Sequence, residues 1–297
     1  MVHCRYIVFF FCTSLLFSCQ SASDRLKEQI EKELAQQPGT FAVAFKDLST
    51  GQQILIHERE NFHAASTMKT PVMIEVFKQV AAGKLSLQDS ILVKNDFKSI
   101  VDGSTYSLDP AEDSELALYT QTGKKRTLFS LVYDMIIVSS NLATNIVIEL
   151  VDAKKVTETM RELGAKDILV LRGVEDDKAF EKGLINRITA YDLMLIYEKM
   201  AKGEIVNQEA SKAMIDILLD QRSKSVIPAK LPANVKVAHK TGNYGGVVRH
   251  DSGIVFLPDG RKYVLVILSR ELKDDEAATK AMANVSELIY EYVVKTL

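Results

Sequence analysis

The sequence predicts a mixed α/β fold of the α+β kind: a five-stranded antiparallel sheet built from both chain ends, flanked by the terminal helices, with an all-helical lobe inserted between. Three observations predict it. Runs with strand character cluster at 41–57 and 236–268 and nowhere between. Apolar residues recur at helical spacing through a long middle, about 67–219. Ser49-Thr50-Gly51 and Pro258-Asp259-Gly260 are turn signals joining neighbouring strands, the short link that antiparallel pairing uses. One sheet with helices on its faces is the simplest way to bury these elements. The cleft between the lobes is where a small-molecule site is expected.

Residues 1–19 read as a targeting segment. Arg5 gives a basic start, and 7–17 is apolar except for Thr13 and Ser14, too short to span a bilayer and of the length of a signal h-region. Leu26, Ile30 and Leu34 then mark an amphipathic helix over 24–36. Strands are expected at 41–45 and 53–57. Helices follow at 71–82, 128–138, 142–150, 155–163, 190–201 and 208–219. Strands return at 236–240, 253–257 and 262–268, and a last helix runs over 275–296. The α/β lobe thus comprises 24–62 and 230–297, and the helical lobe 66–222.

Composition narrows the function. All three cysteines (Cys4, Cys12, Cys19) lie in the first nineteen residues, so the body of the chain has no internal disulfide and relies on its core. The formal net charge is −2, and the one basic run is Lys124-Lys125-Arg126, which gives no footprint for nucleic acid. His57, His63, His239 and His250 are scattered, without the H-x-x-x-H spacing of a metal site, so no metal or cofactor is expected. A monomer is expected.

Ser66-Thr67-Met68-Lys69 is the most informative stretch. A serine hydroxyl needs a base within reach to act as a nucleophile. Positions i and i+3 share a helix face, which stands Lys69 beside Ser66. Pro71 fits only in the first turn of a helix, which puts Ser66 at a helix N-terminus, where free N–H groups favour developing negative charge. Ser139-Ser140-Asn141 interrupts the helical pattern between 128–138 and 142–150. By itself it reads as a helix cap. Lys240-Thr241-Gly242 ends the strand beginning at Lys236, and by itself is a surface lysine before a turn.

In this order and spacing, S-x-x-K, S-x-N and K-T-G resemble the motifs of the penicillin-recognising serine enzymes, the class A β-lactamases and penicillin-binding D,D-peptidases. The resemblance spans nearly the whole chain after the leader, and the class A branch fits best. It implies that Ser66 is acylated and that Lys69 takes or relays its proton. Ser139 would pass a proton to the leaving nitrogen. Asn141 would hold Lys69 and the substrate amide. Lys240 would add positive potential, and Thr241 would bind the substrate carboxylate. The oxyanion hole would be the N–H groups of Ser66 and Asn243. Arg249, nine residues past Lys240, would meet the substrate carboxylate; an exposed strand arginine is the alternative. Leu16-Phe17-Ser18-Cys19 resembles a bacterial lipobox, though Phe17 is not small. It implies lipidation of Cys19 and an exported, periplasmic or membrane-anchored lipoprotein; ordinary cleavage with a soluble product is the alternative.

The pattern departs from the family in three places. The family's deacylation loop reads E-x-x-x-N closely after an arginine. Here it is Arg172-Gly173-Val174-Glu175-Asp176-Asp177-Lys178-Ala179. Glu175, 36 residues after Ser139, is the candidate base, ahead of Asp176 and Glu181. Yet the arginine register falls on Val174, and Ala179 replaces the asparagine. Ser140 stands where the family has aspartate. The segment 101–126 is long and polar and is expected on the cleft rim. The leading reading is a β-lactamase that opens small-molecule β-lactams. A D,D-peptidase or esterase on cell-wall peptide-like substrates, deacylating slowly, is the alternative. A lipid-anchored binding protein without chemistry is the third reading.

Overall fold

The computed structural model describes residues 21–295. Its sheet contains β1 (Thr40–Asp47), β2 (Gln53–Ile56), β3 (Lys236–Tyr244), β4 (Val248–Phe256) and β5 (Lys262–Arg270), in the order β2-β1-β5-β4-β3, every neighbouring pair antiparallel. Thr40 pairs with Arg270 and Asp47 with Tyr263, so the first and last strands of the chain lie side by side at the sheet's centre. The expected sheet is therefore present, with β3 at an edge that the helical lobe faces.

Alternation along β1 shows why the sheet has two different faces. Phe41, Val43 and Phe45 point one way and pack with Leu26, Ile30 and Leu34 of α1 (Ala22–Leu34) and with Met282, Val285 and Ile289 of the last helix. Ala42 and Ala44 point the other way, toward the helical lobe. Period-two spacing turns one strand into two surfaces. Ser21 caps α1 by accepting from Asp24 N, and the Asp24 carboxylate accepts from Ser21 N in return, a capping box.

The helical lobe is organised around α2 (Lys69–Ala81), which is buried nearly all round, from Lys69 through Phe77. A helix apolar on every side belongs in the middle of a protein. Around it stand α3 (Leu128–Ile137), α4 (Asn141–Val151), α5 (Ala153–Glu162), α6 (Ala190–Ala201) and α7 (Gln208–Leu219); α8 (Asp275–Lys295) covers the far face of the sheet. The helix starts lie one to two residues earlier than periodicity alone suggests in several cases. There Ser140, Asp152 and similar residues cap the first turn with their side chains, a signal that apolar spacing does not carry. Three two-stranded ribbons (62–63 with 187–188, 90–92 with 125–127, 97–98 with 105–106) escape sequence reading because two or three residues show no period. The leader and Cys19 fall outside the described residues.

Ile30 lies fully buried between α1 and the sheet, on the face away from the helical lobe. Ile30→Ala should cost about 2–5 kcal/mol through lost burial and a residual cavity. Thermal unfolding should show a clear fall in Tm, while the ligand chemistry measured below that temperature stays unchanged.

Candidate active site

Ser66 sits in a 3-10 turn, Ala65–Met68, that runs straight into α2. Pro71 is the third residue of α2, where no N–H is required. The turn is pinned: Ala65 N donates to His63 Nδ1 at 3.1 Å and Thr67 Oγ1 donates to Ala64 O at 2.6 Å. Strand β3 passes so close that a Cβ on Gly242 would stand 3.3 Å from Ser66 N. Glycine there lets the edge strand and the head of the central helix approach as two walls of one crevice, where a larger residue would have to push the turn back by a few tenths of an ångström. That crevice is a cavity of about 530 Å³ lined by Ser66, Ser139, Asn141, Glu175, Thr241 and Asn243, among others. Glu112 and Ser114 line it too, which places the polar segment 101–126 on the rim as expected.

The two lysines lie behind this lining, fully buried. Lys69 Nζ donates to Ser139 O at 2.7 Å and to Asn141 Oδ1 at 3.0 Å, and lies 3.2 Å from Ser139 Oγ. Lys240 Nζ donates to the same Ser139 Oγ at 2.9 Å and to Thr241 O at 2.8 Å. One hydroxyl thus sits between two amines. The direct Ser66–Lys69 hydrogen bond expected from the i, i+3 spacing is absent. A buried amine takes the strongest acceptors in reach, and here those are a backbone carbonyl and an amide oxygen across the crevice. Burial pulls Lys69 down to about 7, against the raising fields of Asp113 and Glu175. Burial also lowers Lys240 well below the usual lysine value, with the charge of Lys69 adding to the effect and Asp251 opposing it. A neutral amine at Lys69 can donate to its two carbonyl-type acceptors and still accept from Ser139.

Ser139-Ser140-Asn141 divides its labour. Ser140 is the cap of α4, its Oγ accepting from Ala143 N at 3.2 Å. Ser139, at φ +62°, is turned out of the helix into the cavity. The cap reading thus falls to Ser140, while Ser139 is the residue that lines the cavity. Asn141 is the bridge: its Oδ1 takes Lys69 and its Nδ2 donates to Glu175 Oε1 at 2.8 Å. Ala65 (φ +43°), Ser139 and Glu175 (φ +59°) are all left-handed non-glycine residues on the cavity wall. Such conformations cost of order 1–3 kcal/mol each and cluster where side chains must be aimed.

The loop bearing Glu175 is held by a residue that sequence reading missed. Asn145 Oδ1 accepts from Val174 N at 2.7 Å, and its Nδ2 donates to Val174 O at 3.0 Å. A Cβ on Gly173 would stand 2.1 Å from that Oδ1, so the clasp requires glycine there. With Val174 clasped by its backbone, the next side chain, Glu175, faces the cavity. Its carboxyl is raised by burial, partly offset by hydrogen bonds from Asn141 and Asp109 N. Asp176 instead accepts from Ser99 Oγ and Ile100 N, and Glu181 is exposed outside the cavity. Asn145 lies four residues after Asn141, one turn along the same helix face, and that spacing is the signal that could have found it.

Arg249 is not brought to the cavity. It pairs in register with Asn243, but its guanidinium is held by the Asp275 carboxylate in the first turn of α8, with Nε at 3.0 Å. It would have to leave Asp275 to meet a substrate carboxylate. At the cavity mouth, His63 stacks on Tyr244 at 4.9 Å between centroids, and Phe180, from the Glu175 loop, packs 5.8 Å from Tyr244. Among the described residues, no three His, Cys, Asp or Glu side chains converge as metal ligands.

Fold and site together define a class: serine hydrolases of the β-lactamase and penicillin-binding fold. Within that class, the chain belongs to the Beta-lactamase enzyme family, whose model matches residues 25–293. It is 24% identical over 294 residues to the extended-spectrum β-lactamase PER-1 of Pseudomonas aeruginosa, covering 95% of this chain and 91% of that one. Among solved structures it resembles PBP-A (25% identity, TM-score 0.79, 91% of this chain and 96% of that chain). It also resembles the PBP-A L158E mutant in an acyl-enzyme complex with penicillin G (26% identity, TM-score 0.77, 91% and 97%).

Asn145→Ala should release Val174, leaving its N–H without the Asn145 acceptor and its carbonyl with the Tyr106 hydroxyl as its remaining donor, at a cost of about 1–3 kcal/mol. Hydrogen exchange at the Val174 amide should accelerate well beyond that of α2, whose amides report the global core.

Proposed function

We propose that this chain opens β-lactams by acyl transfer to Ser66 and releases the product by Glu175-assisted hydrolysis. The observation that carries this reading is Ser139 Oγ, held between two buried amines and linked through Asn141 to a cavity-facing carboxylate, in the same cavity onto which Ser66 opens. Each step has a group suited to it. Neutral Lys69 turns from Ser139 to take the Ser66 proton as Oγ attacks the lactam carbonyl carbon. The oxyanion meets the N–H groups of Ser66 and Asn243, the first at the head of a helix. Such preorganised donors are worth about 3–4 kcal/mol each. The C–N bond breaks, and the nitrogen takes a proton from Ser139, which regains one from Lys69. Thr241 holds the substrate carboxylate, and Lys240, behind the lining, adds positive potential there. Glu175 then takes a proton from the water that attacks the acyl carbon, and Ser66 Oγ leaves with a proton. Burial raises the basicity of Glu175, as that last step needs.

Export is part of the proposal: the apolar run 7–17 and Leu16-Phe17-Ser18-Cys19 support a lipid-anchored protein. Metabolic labelling with a fatty acid that is lost in Cys19→Ser tests it.

Intact mass after mixing with penicillin G tests the chemistry. The wild-type chain should show a transient adduct and Ser66→Ala none. In Glu175→Gln the adduct should persist, with release slowed about 10²–10⁴-fold. A wild-type adduct that itself persists for hours would assign a slow penicillin-binding enzyme instead; no adduct at all would end the acyl-transfer reading.

The pH dependence of adduct formation should follow Lys69. The amine accepts a proton only when neutral, so the rate should be level above about 7 and fall below it, approaching tenfold per pH unit. Stopped-flow acylation between pH 5 and 9 measures it.

A further inference from the structure

We propose that Asp113 is a positioning residue for this site, supplying from the facing segment the carboxylate that the Ser139-Ser140-Asn141 turn lacks. The inference rests on the acyl-serine reading above and deepens it. A helix start leaves several N–H groups without intrahelical partners. In α4 the Ser140 side chain serves only Ala143 N. Asp113 Oδ2 serves the next two, accepting from Asn141 N and Leu142 N at 2.9 Å each. The same oxygen takes Tyr119 OH at 3.0 Å and lies 3.5 Å from Ser140 Oγ, while Oδ1 accepts from Glu115 N at 3.2 Å. Asp113 is only 8% exposed. One buried carboxylate thus gathers donors from the helix start and from its own segment, set against the positive end of a helix.

What it holds is not a generic helix start. Asn141 is the residue whose side chain joins Lys69 to Glu175, and Asp113 fixes its backbone. Asp113 therefore acts on the reaction through Asn141 and Lys69 without touching the reacting atoms. Its charge also reaches Lys69, where Asp113 and Glu175 favour the ammonium and burial opposes it; the charge of Lys240 faces the pair from β3. Because Ser140 Oγ lies next to the carboxylate, an acid at 140 could carry the same charge from the other side while still capping α4.

The test uses the full chain, penicillin G and the pH profile of acylation. Asp113→Asn keeps the shape and removes the charge. Its acid limb should move to lower pH by about half a unit or more, because the ammonium of Lys69 loses a stabilising neighbour. Its plateau should fall roughly tenfold as Asn141 loosens. The exchange D113S/S140D should bring the limb back toward the wild-type position and recover most of the plateau. S140D alone sets two acids side by side and should lower Tm, whereas the exchange should recover it. A uniform loss in Asp113→Asn with the limb unmoved would overturn the inference and leave Asp113 a mere strut. If Asp113→Asn does not fold, the exchange decides: recovery of Tm and rate supports the inference, and a folded but inactive exchange overturns it. A wild-type chain that forms no adduct fails the acyl-serine reading and takes this inference with it; a reactive wild type with an indifferent Asp113 fails this inference alone.

Discussion

Two lysine side chains are buried in this protein, and both end at the oxygen of one serine. Two ammonium ions a few ångströms apart in a dry pocket disfavour each other: burial lowers both amines from the usual lysine value, and the charge of Lys69 adds to the effect at Lys240. That electrostatic conflict shapes the surrounding architecture. Lys69 is buried because it opens the central helix, and Lys240 because it lies on the face of an edge strand pressed against that helix. The polar groups that make their burial tolerable (the Ser139 carbonyl, the Asn141 amide, the Thr241 carbonyl) come from the two elements flanking the crevice. The site is thus part of the joint between the lobes.

The acids are arranged around the same conflict. By hydrogen bonds Glu175 reaches the amines through Asn141, and Asp113 through the helix start that carries Asn141, while the charge of each acts on Lys69 across space. Neither forms an ion pair with a lysine. Direct pairing would restore a firmly held ammonium and remove the base. Distance and intervening amides let the acids moderate the amine without capturing its proton. The left-handed residues Ala65, Ser139 and Glu175 have the same logic: backbone strain is accepted where a side chain must leave its natural direction.

Much of this was legible in the chain. The strands were readable because alternation on β1 separates Phe41, Val43 and Phe45 from Ala42 and Ala44. The head of α2 was readable because Pro71 tolerates only a first turn. Ser66, Lys69, Ser139, Asn141, Lys240 and Thr241, which the fold brings around one crevice, could be nominated because their motifs are short and local in sequence. Glu175 could be nominated but not aimed, since its direction depends on the clasp of Val174 by Asn145, 29 residues before Val174. Asp113 was invisible for a like reason: it lies in a polar stretch without period, and its meaning comes only from contact with α4. Arg249 shows the converse. Its place along β4 was predictable, but the pull of Asp275 was not, because α8 arrives at the strand from the far end of the chain.

The ring cluster at the cavity mouth ties three parts of the molecule into one edge. His63 precedes the Ser66 turn, Tyr244 ends the strand beside it, and Phe180 rides on the loop that carries Glu175. A ligand whose bulk presses on Tyr244 would push on both its ring neighbours, toward the Phe180 loop that carries Glu175 and toward His63, whose Nδ1 accepts from Ala65 N at the head of the Ser66 turn. On the proposed acyl-serine route, both halves of the crevice would then lose alignment together, making this rim a place where shape alone turns a substrate into an inhibitor.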